Sequence, residues 1–164
     1  VRAGLLAASF RTPDRTVEAC RTLWSHTGDA ARLDDQGRLH FVDRMKDCIR
    51  RRGENISSFE IEQVLNAHPA VAESAGVGVR LAGAGGEDEV KACVVAAPGV
   101  TLDPVALLDW CTPRMPHFAV PRFVEVVTDL AKTATGKLQK TALRQAGITA
   151  ATWDRESTGY VVRR

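Results

Sequence analysis

Lys137 ends the run Lys132-Thr-Ala-Thr-Gly-Lys137, in which hydroxyl side chains and a glycine lead up to an ammonium group. Such a run has no apolar anchor and reads as an exposed loop. It could deliver positive charge to an anionic group, or it could be an ordinary solvated turn. Upstream, Thr27-Gly28-Asp29 sets a carboxylate just after a glycine and just before a β-prone stretch. A carboxylate there can accept hydrogen bonds from a ligand, or do no more than finish a turn. Between these lies Asp43-Arg-Met-Lys-Asp-Cys-Ile-Arg-Arg-Arg-Gly-Glu-Asn-Ile-Ser57, with Arg44, Lys46, Arg50, Arg51 and Arg52 ahead of Gly53. By itself that cluster reads as the solvated basic face in front of a capped helix.

Common nucleotide motifs do not account for these residues. Gly136-Lys137 lacks both the earlier glycine and the following Ser/Thr of a phosphate-binding loop, since Ala131 and Leu138 stand in those places. The glycines of Gly83-Ala-Gly-Gly86 do not open a helix after a strand, so a hairpin loop explains them better than a dinucleotide fingerprint. Cys20, Cys48, Cys93 and Cys111 include no Cys-x-x-Cys pair, and His26, His40, His68 and His117 are equally dispersed. Neither a zinc site nor a disulfide framework is expected, and such thiols suit a reducing cytoplasm.

The elements that must position these groups can be read from turn chemistry and periodicity. Ala30-Ala-Arg-Leu33 and Arg38-Leu-His-Phe-Val42 flank Asp34-Asp-Gln-Gly37, which is a hairpin signal. Cys48-Ile-Arg-Arg51 and Glu54-Asn-Ile56 predict a tighter hairpin around Gly53. Ser57-Ser-Phe-Glu60 has capping-box form, worth ~1 kcal/mol, and Ile61, Val64 and Leu65 follow at helical spacing until His68-Pro69. Residues 71–79 and 90–97 read as strands on either side of the 83–86 glycines. Asp103-Pro104 opens a helix in which Val105, Leu108, Trp110 and Cys111 can face a core, with Pro113 and Pro116 closing it. Residues 121–127 form a third strand and 140–145 a short last helix, while the segment from Gly147 is polar and expected to be loosely held. Strands alternating with helices in this way predict an α+β fold.

At 164 residues, with 45% hydrophobic and 26% charged, the chain has the balance of one globular domain plus an appendage. No stretch nears the roughly 18 unbroken apolar residues of a membrane span. A net charge of +2 is too small to imply a polyanionic partner by itself. The chain starts at Val1 with only a short apolar run, unlike a signal peptide, so it is expected to be an internally cut piece of a longer protein.

Taken in order, these segments resemble the second half of the AMP-forming acid–thiol ligases, the superfamily of acyl-CoA synthetases, luciferases and peptide adenylation domains. The resemblance runs from Arg2-Ala-Gly through Trp24-Ser-His-Thr-Gly-Asp29 to Ala131-Lys-Thr-Ala-Thr-Gly-Lys-Leu-Gln-Lys140. Lys137 is followed by Leu138-Gln-Lys140 rather than the hydrophobic-Asp-Arg of peptide adenylation domains. The 43–56 run is similar to the acyl-CoA ligase branch, including its carnitine/crotonobetaine ligase-like group. Ala131 departs from the family's usual proline, which should loosen the start of the lysine loop.

The resemblance implies that residues 1–43 are a β-rich remnant of the large N-terminal adenylating domain. Residues 44–146 would be the small mobile C-terminal domain, a three-stranded sheet flanked by helices plus a β-hairpin, and 147–164 a polar tail. It implies an ATP-dependent ligase that makes an acyl-AMP from a carboxylic acid and passes the acyl group to CoA. Mg2+ would be held mainly by the missing domain. The implied partners are the chain's own N-terminal domain, the acid, ATP and CoA, with neither nucleic acid nor membrane. The isolated piece is expected to be inactive, and its first hairpin, lacking neighbours, could pair with another copy. By resemblance Asp29 accepts from the ribose hydroxyls, Arg44 contacts the nucleotide, Lys46 is the pivot and Lys137 reaches the reacting phosphate during adenylation. Gly53 would line the pantetheine tunnel, with Arg50, Arg51 and Arg52 toward the CoA phosphates. Other readings are a non-catalytic binding module with a basic hairpin, or part of a carrier-protein-loading adenylation domain.

Overall fold

Asp34 organises the first hairpin. In the computed structural model, which describes residues 13–19, 26–81 and 87–162, Asp34 Oδ1 accepts from the backbone N–H groups of Gln36 and Arg38 at 3.0 and 2.9 Å. Its Oδ2 lies 2.7 Å from Arg38 Nε and 2.8 Å from His40 Nε2. One short side chain thus satisfies the turn's donors, as Asp does at the head of a turn. Strands β1 (Asp29–Leu33) and β2 (Leu39–Arg44) pair antiparallel on either side, with Leu33 opposite Leu39 and Asp29 opposite Arg44. Leu33, Leu39 and Phe41 share one exposed face of this ribbon. With the short helix α1 (Pro13–Ala19), the ribbon lies in the first of two compact units, Val1–Lys46; the second is Asp47–Arg164. The expectations placed on Arg2, Cys20, Trp24 and the 83–86 glycines fall outside the described residues.

The second unit opens with the tight hairpin of β3 (Ile49–Arg51) and β4 (Glu54–Ile56). Its turn residues Arg52 and Gly53 have φ of 51° and 81°, the pair of positive values that a two-residue hairpin turn matching strand twist requires. Helix α2 (Ser58–Asn66) follows at once. Ser57 Oγ accepts from the Glu60 N–H at 3.2 Å, and Ile61 and Leu65 are buried one turn apart.

Next comes a sheet ordered β5-β6-β7-β8, from β5 (Val71–Arg80), β6 (Asp88–Ala96), β7 (Phe123–Val127) and β8 (Trp153–Asp154). The β6–β7 pair is parallel and the others antiparallel. Helix α3 (Pro104–Cys111) makes the crossover, capped by Asp103 Oδ1 on the Val105 N–H at 3.0 Å, with Pro104 in its first turn. Val90, Ala92, Val94 and Val124 turn one sheet face toward the residues of α2 and α3. Ala75, Cys93 and Leu130 form a second cluster on the opposite face, where Leu143 of α4 (Lys140–Ala146) packs.

Two expectations need correction. Leu107, Leu108 and Cys111 are the buried residues of α3 and the half-buried Trp110 packs against the same core, donating from Nε1 to Val64 O at 3.1 Å, whereas Val105 is exposed. The segment after Gly147 is not loose. Trp153 and Asp154 add a fourth strand to the edge of β7, Arg122 grips both Asp154 carboxylate oxygens at 3.1 Å, and Val162 is buried in the main core. An apolar Trp and a bidentate partner cover what would be an open sheet edge.

Candidate functional site

The run holding Lys137 is a closed loop. Lys132 bridges Leu138, the Gln139 N–H donates to Ala131 O at 2.8 Å, and the Thr133 N–H donates to Lys137 O at 2.8 Å. Thr133 Oγ1 accepts from the Lys137 N–H at 3.1 Å, and Gly136 takes φ 77°, which a side chain would strain. The Ala131 carbonyl ties the two arms of the loop together.

Three lysines lie in this segment, and their surroundings separate them. Lys132 is 2.8 Å from Glu73 Oε2, an interaction whose hydrogen bond raises its pKa above the ordinary lysine value. Lys140 sits 2.6 Å from Glu62 Oε1 and donates to Ser58 Oγ at 2.8 Å; the same Glu62 oxygen accepts from the Gly76 N–H at 2.7 Å. Both arms of the loop are therefore pinned by carboxylates, one from β5 and one from α2. Lys137 is exposed, and its ammonium meets no carboxylate at ion-pair distance among the described residues. Glu73, Glu62 and Ser58 were not foreseen, and a single sequence carries no signal for such long-range pairs.

The β3–β4 hairpin projects Gly53 at its tip, where nothing lies within 4 Å of the position a Cβ would occupy. Arg50 and Arg52 are exposed beside it. Arg51 is the exception to the expected phosphate-binding triplet: at 3% side-chain exposure, its Nη1 donates to Phe118 O at 2.8 Å. Its Nε approaches Glu89 Oε2 to 2.7 Å but off the hydrogen-bonding axis, so the contact is an ion pair rather than an aligned bond. Arg51 is a structural residue, and strand alternation is the reason. It shares its face with the buried Ile49, while Arg50 points the other way.

In the first unit, Asp29 and Arg44 meet as cross-strand partners, with Asp29 Oδ1 3.5 Å from Arg44 Nε. The Met45 N–H donates to Gly28 O at 2.8 Å, closing the ribbon just beyond them. Lys46 is the last residue of this unit and is exposed. The structure thus pairs Asp29 with Arg44 on one unit and carries Gly53, Arg50, Arg52 and Lys137 on the other.

Against known families, residues 60–137 match the AMP-binding enzyme C-terminal domain. The chain carries an AMP-binding enzyme C-terminal domain. It is similar to a crotonobetaine/carnitine–CoA ligase from Salmonella typhimurium, 35% identical over 136 residues, covering 82% of this chain and 26% of the relative. It spans about a quarter of the length of such relatives. Among solved structures it is similar to o-succinylbenzoate CoA synthetase from Bacillus subtilis in complex with its acyl-adenylate intermediate, at 30% identity and TM-score 0.76, covering 87% of this chain and 29% of that one. An amide bond synthetase from Marinactinospora thermotolerans matches at 34% identity and TM-score 0.72, covering 85% and 28%. The matched residues include most of α2, strands β5 to β7 and the lysine loop as far as Lys137. Among the described residues, no group of three or more His, Cys, Asp or Glu converges to hold a metal, and no helix is long and apolar enough to cross a membrane.

Proposed function

We propose that this chain is the C-terminal part of an AMP-forming acyl-CoA ligase, with the first compact unit, Val1–Lys46, ending the large adenylating domain and the second, Asp47–Arg164, forming the mobile one. In the first step a carboxylate oxygen attacks the α-phosphorus of ATP, and the bond to pyrophosphate breaks. In the second, the CoA sulfur attacks the acyl carbon, the bond to AMP breaks, and the thiol proton is lost. Both steps build negative charge, so positioning and charge stabilisation are what the protein must supply.

The observation that carries this reading is the contrast among the loop lysines: Lys132 and Lys140 are neutralised in place, while Lys137 is held out unpaired. In this reading Lys137 bridges the acyl and α-phosphate oxygens during adenylation. The Asp29 carboxylate accepts from both ribose hydroxyls, and Arg44, now its ion-pair partner, turns its planar fork to the nucleotide. The paired state keeps both side chains facing each other until a ligand divides them. Lys46 serves as the pivot, a role supported by the division of the chain into compact units directly after it. Gly53 faces the thiol arm, with Arg50 and Arg52 toward the CoA phosphates. Mg2+ enters with the ATP phosphates, held mainly by the large domain.

Thioester formation is the second step favoured by the CoA-ligase relatives, although the amide bond synthetase shows that a neighbour of similar fold bears a different name. The test is acid-dependent ATP–pyrophosphate exchange by a ligase of the relatives' full length carrying this segment, followed by product analysis with CoA or an amine as acceptor. Exchange with thioester as product is expected, and the isolated 164-residue chain should show no exchange. Exchange without thioester would remove CoA as the acceptor. Exchange by the isolated chain would overturn the division of labour proposed here.

A further inference from the structure

Asp47 is the first residue of the second unit, next to Lys46, yet its carboxylate is not turned to solvent. Its Oδ1 lies 2.5 Å from Nη2 of Arg144, a contact that spans 97 residues of sequence. Side-chain exposure is 14% for Asp47 and 26% for Arg144, so water screens the pair less than a surface ion pair. Arg144 lies on α4, the helix that begins at Lys140 as the lysine loop ends.

The other attachments of α4 run to different places. Lys140 reaches α2, and Leu143 packs on the sheet. Lys91, 1% exposed on β6, donates from Nζ to the Gly147 carbonyl just past the helix end and lies 2.7 Å from Glu125. These contacts fix the helix to the body of its unit. Among the described residues, the Asp47–Arg144 pair joins it to the residue beside the unit boundary.

We propose that the Asp47–Arg144 ion pair is a positioning contact that makes the boundary residue and the lysine loop turn as one piece. This inference rests on the reading of Lys46 as pivot and Lys137 as the adenylation lysine. Without the pair, rotation about residue 46 can be absorbed by slack between Asp47 and α4, and Lys137 arrives with a wider spread of positions. The thioester step does not use Lys137 in this reading, so that slack should leave it nearly untouched.

The experiment uses a full-length ligase carrying this segment and measures the two half-reactions separately for Asp47→Asn, Arg144→Met and the exchanged pair Asp47→Arg with Arg144→Asp. Adenylation should fall about tenfold in each single variant, the scale of a misplaced catalytic group, while thioester formation from synthetic acyl-adenylate stays within about twofold. The exchanged pair should recover most of the lost adenylation rate, which a double-mutant cycle reads as coupling. Equal loss in both half-reactions for the near-isosteric Asp47→Asn would overturn the inference, because a purely structural contact behaves that way. Undiminished adenylation in Asp47→Asn would overturn it as well. Lys137→Ala on the same background separates the layers. If that variant keeps full adenylation, the reading of Lys137 fails and this inference with it; if it loses adenylation and Asp47→Asn does not, only the positioning contact fails.

Discussion

Gly53 takes a positive φ in a turn whose surroundings are open, so a side chain there meets no wall within this chain and costs mainly backbone strain. If its role is to leave room for a thiol arm, Gly53→Leu in a full-length ligase should leave acyl-adenylate formation nearly unchanged and depress thioester formation at least tenfold, a loss of the size a displaced reacting group brings. Unchanged CoA turnover would remove Gly53 from the thiol path. At this scale the sequence was partly legible. Gly53 and Lys137 lie in or beside turns, where local chemistry decides the conformation, whereas Asp29 and Arg44 are strand residues that only the family resemblance singles out. Arg51 could have been separated from Arg50 and Arg52 by carrying the two-residue strand period forward from Ile49, which places it inward. The partners Glu89, Glu73 and Glu62 could not, since nothing local to a glutamate says which distant cation it will meet.

The first hairpin offers a test at the scale of an element. Hydrogen bonds from His40 and then Arg38 lower the Asp34 pKa from 3.8 to about 2. A carboxylate with a depressed folded-state pKa contributes stability that is fully present above its unfolded value and disappears as pH falls through the folded one. The Asp34 carboxyl should therefore titrate near pH 2 by NMR, and cross-strand contacts between Leu33 and Leu39 should weaken between about pH 4 and about pH 2. In Asp34→Asn that acid transition should vanish. A carboxyl midpoint at 3.8 or above would contradict the turn geometry. Elements of this kind were legible because their determinants are adjacent: the Asp34 turn, the Ser57 cap and the Asp103-Pro104 start lie within four residues of what they fix. Strand β8 was not. Its two residues are too few to show a period, and it exists because Arg122, 32 residues away in sequence, and the edge of β7 receive it. On α3 Val105 was placed inward and Leu107, two positions on, was missed for a related reason, since both are apolar and their packing partners are distant in sequence.

For the whole molecule, the central claim is that one small unit serves two chemical steps by presenting different faces. The Lys137 loop and the Gly53 hairpin are separate, independently braced features of that unit, and the chain divides immediately before it, after Lys46. Such a device predicts that damage to one face spares the step performed by the other. The most direct test is the pair of half-reaction rates for Lys137→Ala in a full-length ligase carrying this segment, measured on one preparation. Losing a preorganised cationic donor should slow adenylate formation by two to three orders of magnitude, roughly 3–4 kcal/mol. Thioester formation from supplied acyl-adenylate and CoA should continue near the unmutated rate. If both rates fall together, Lys137 acts in both steps or holds the fold, and the division of work between the two faces is wrong.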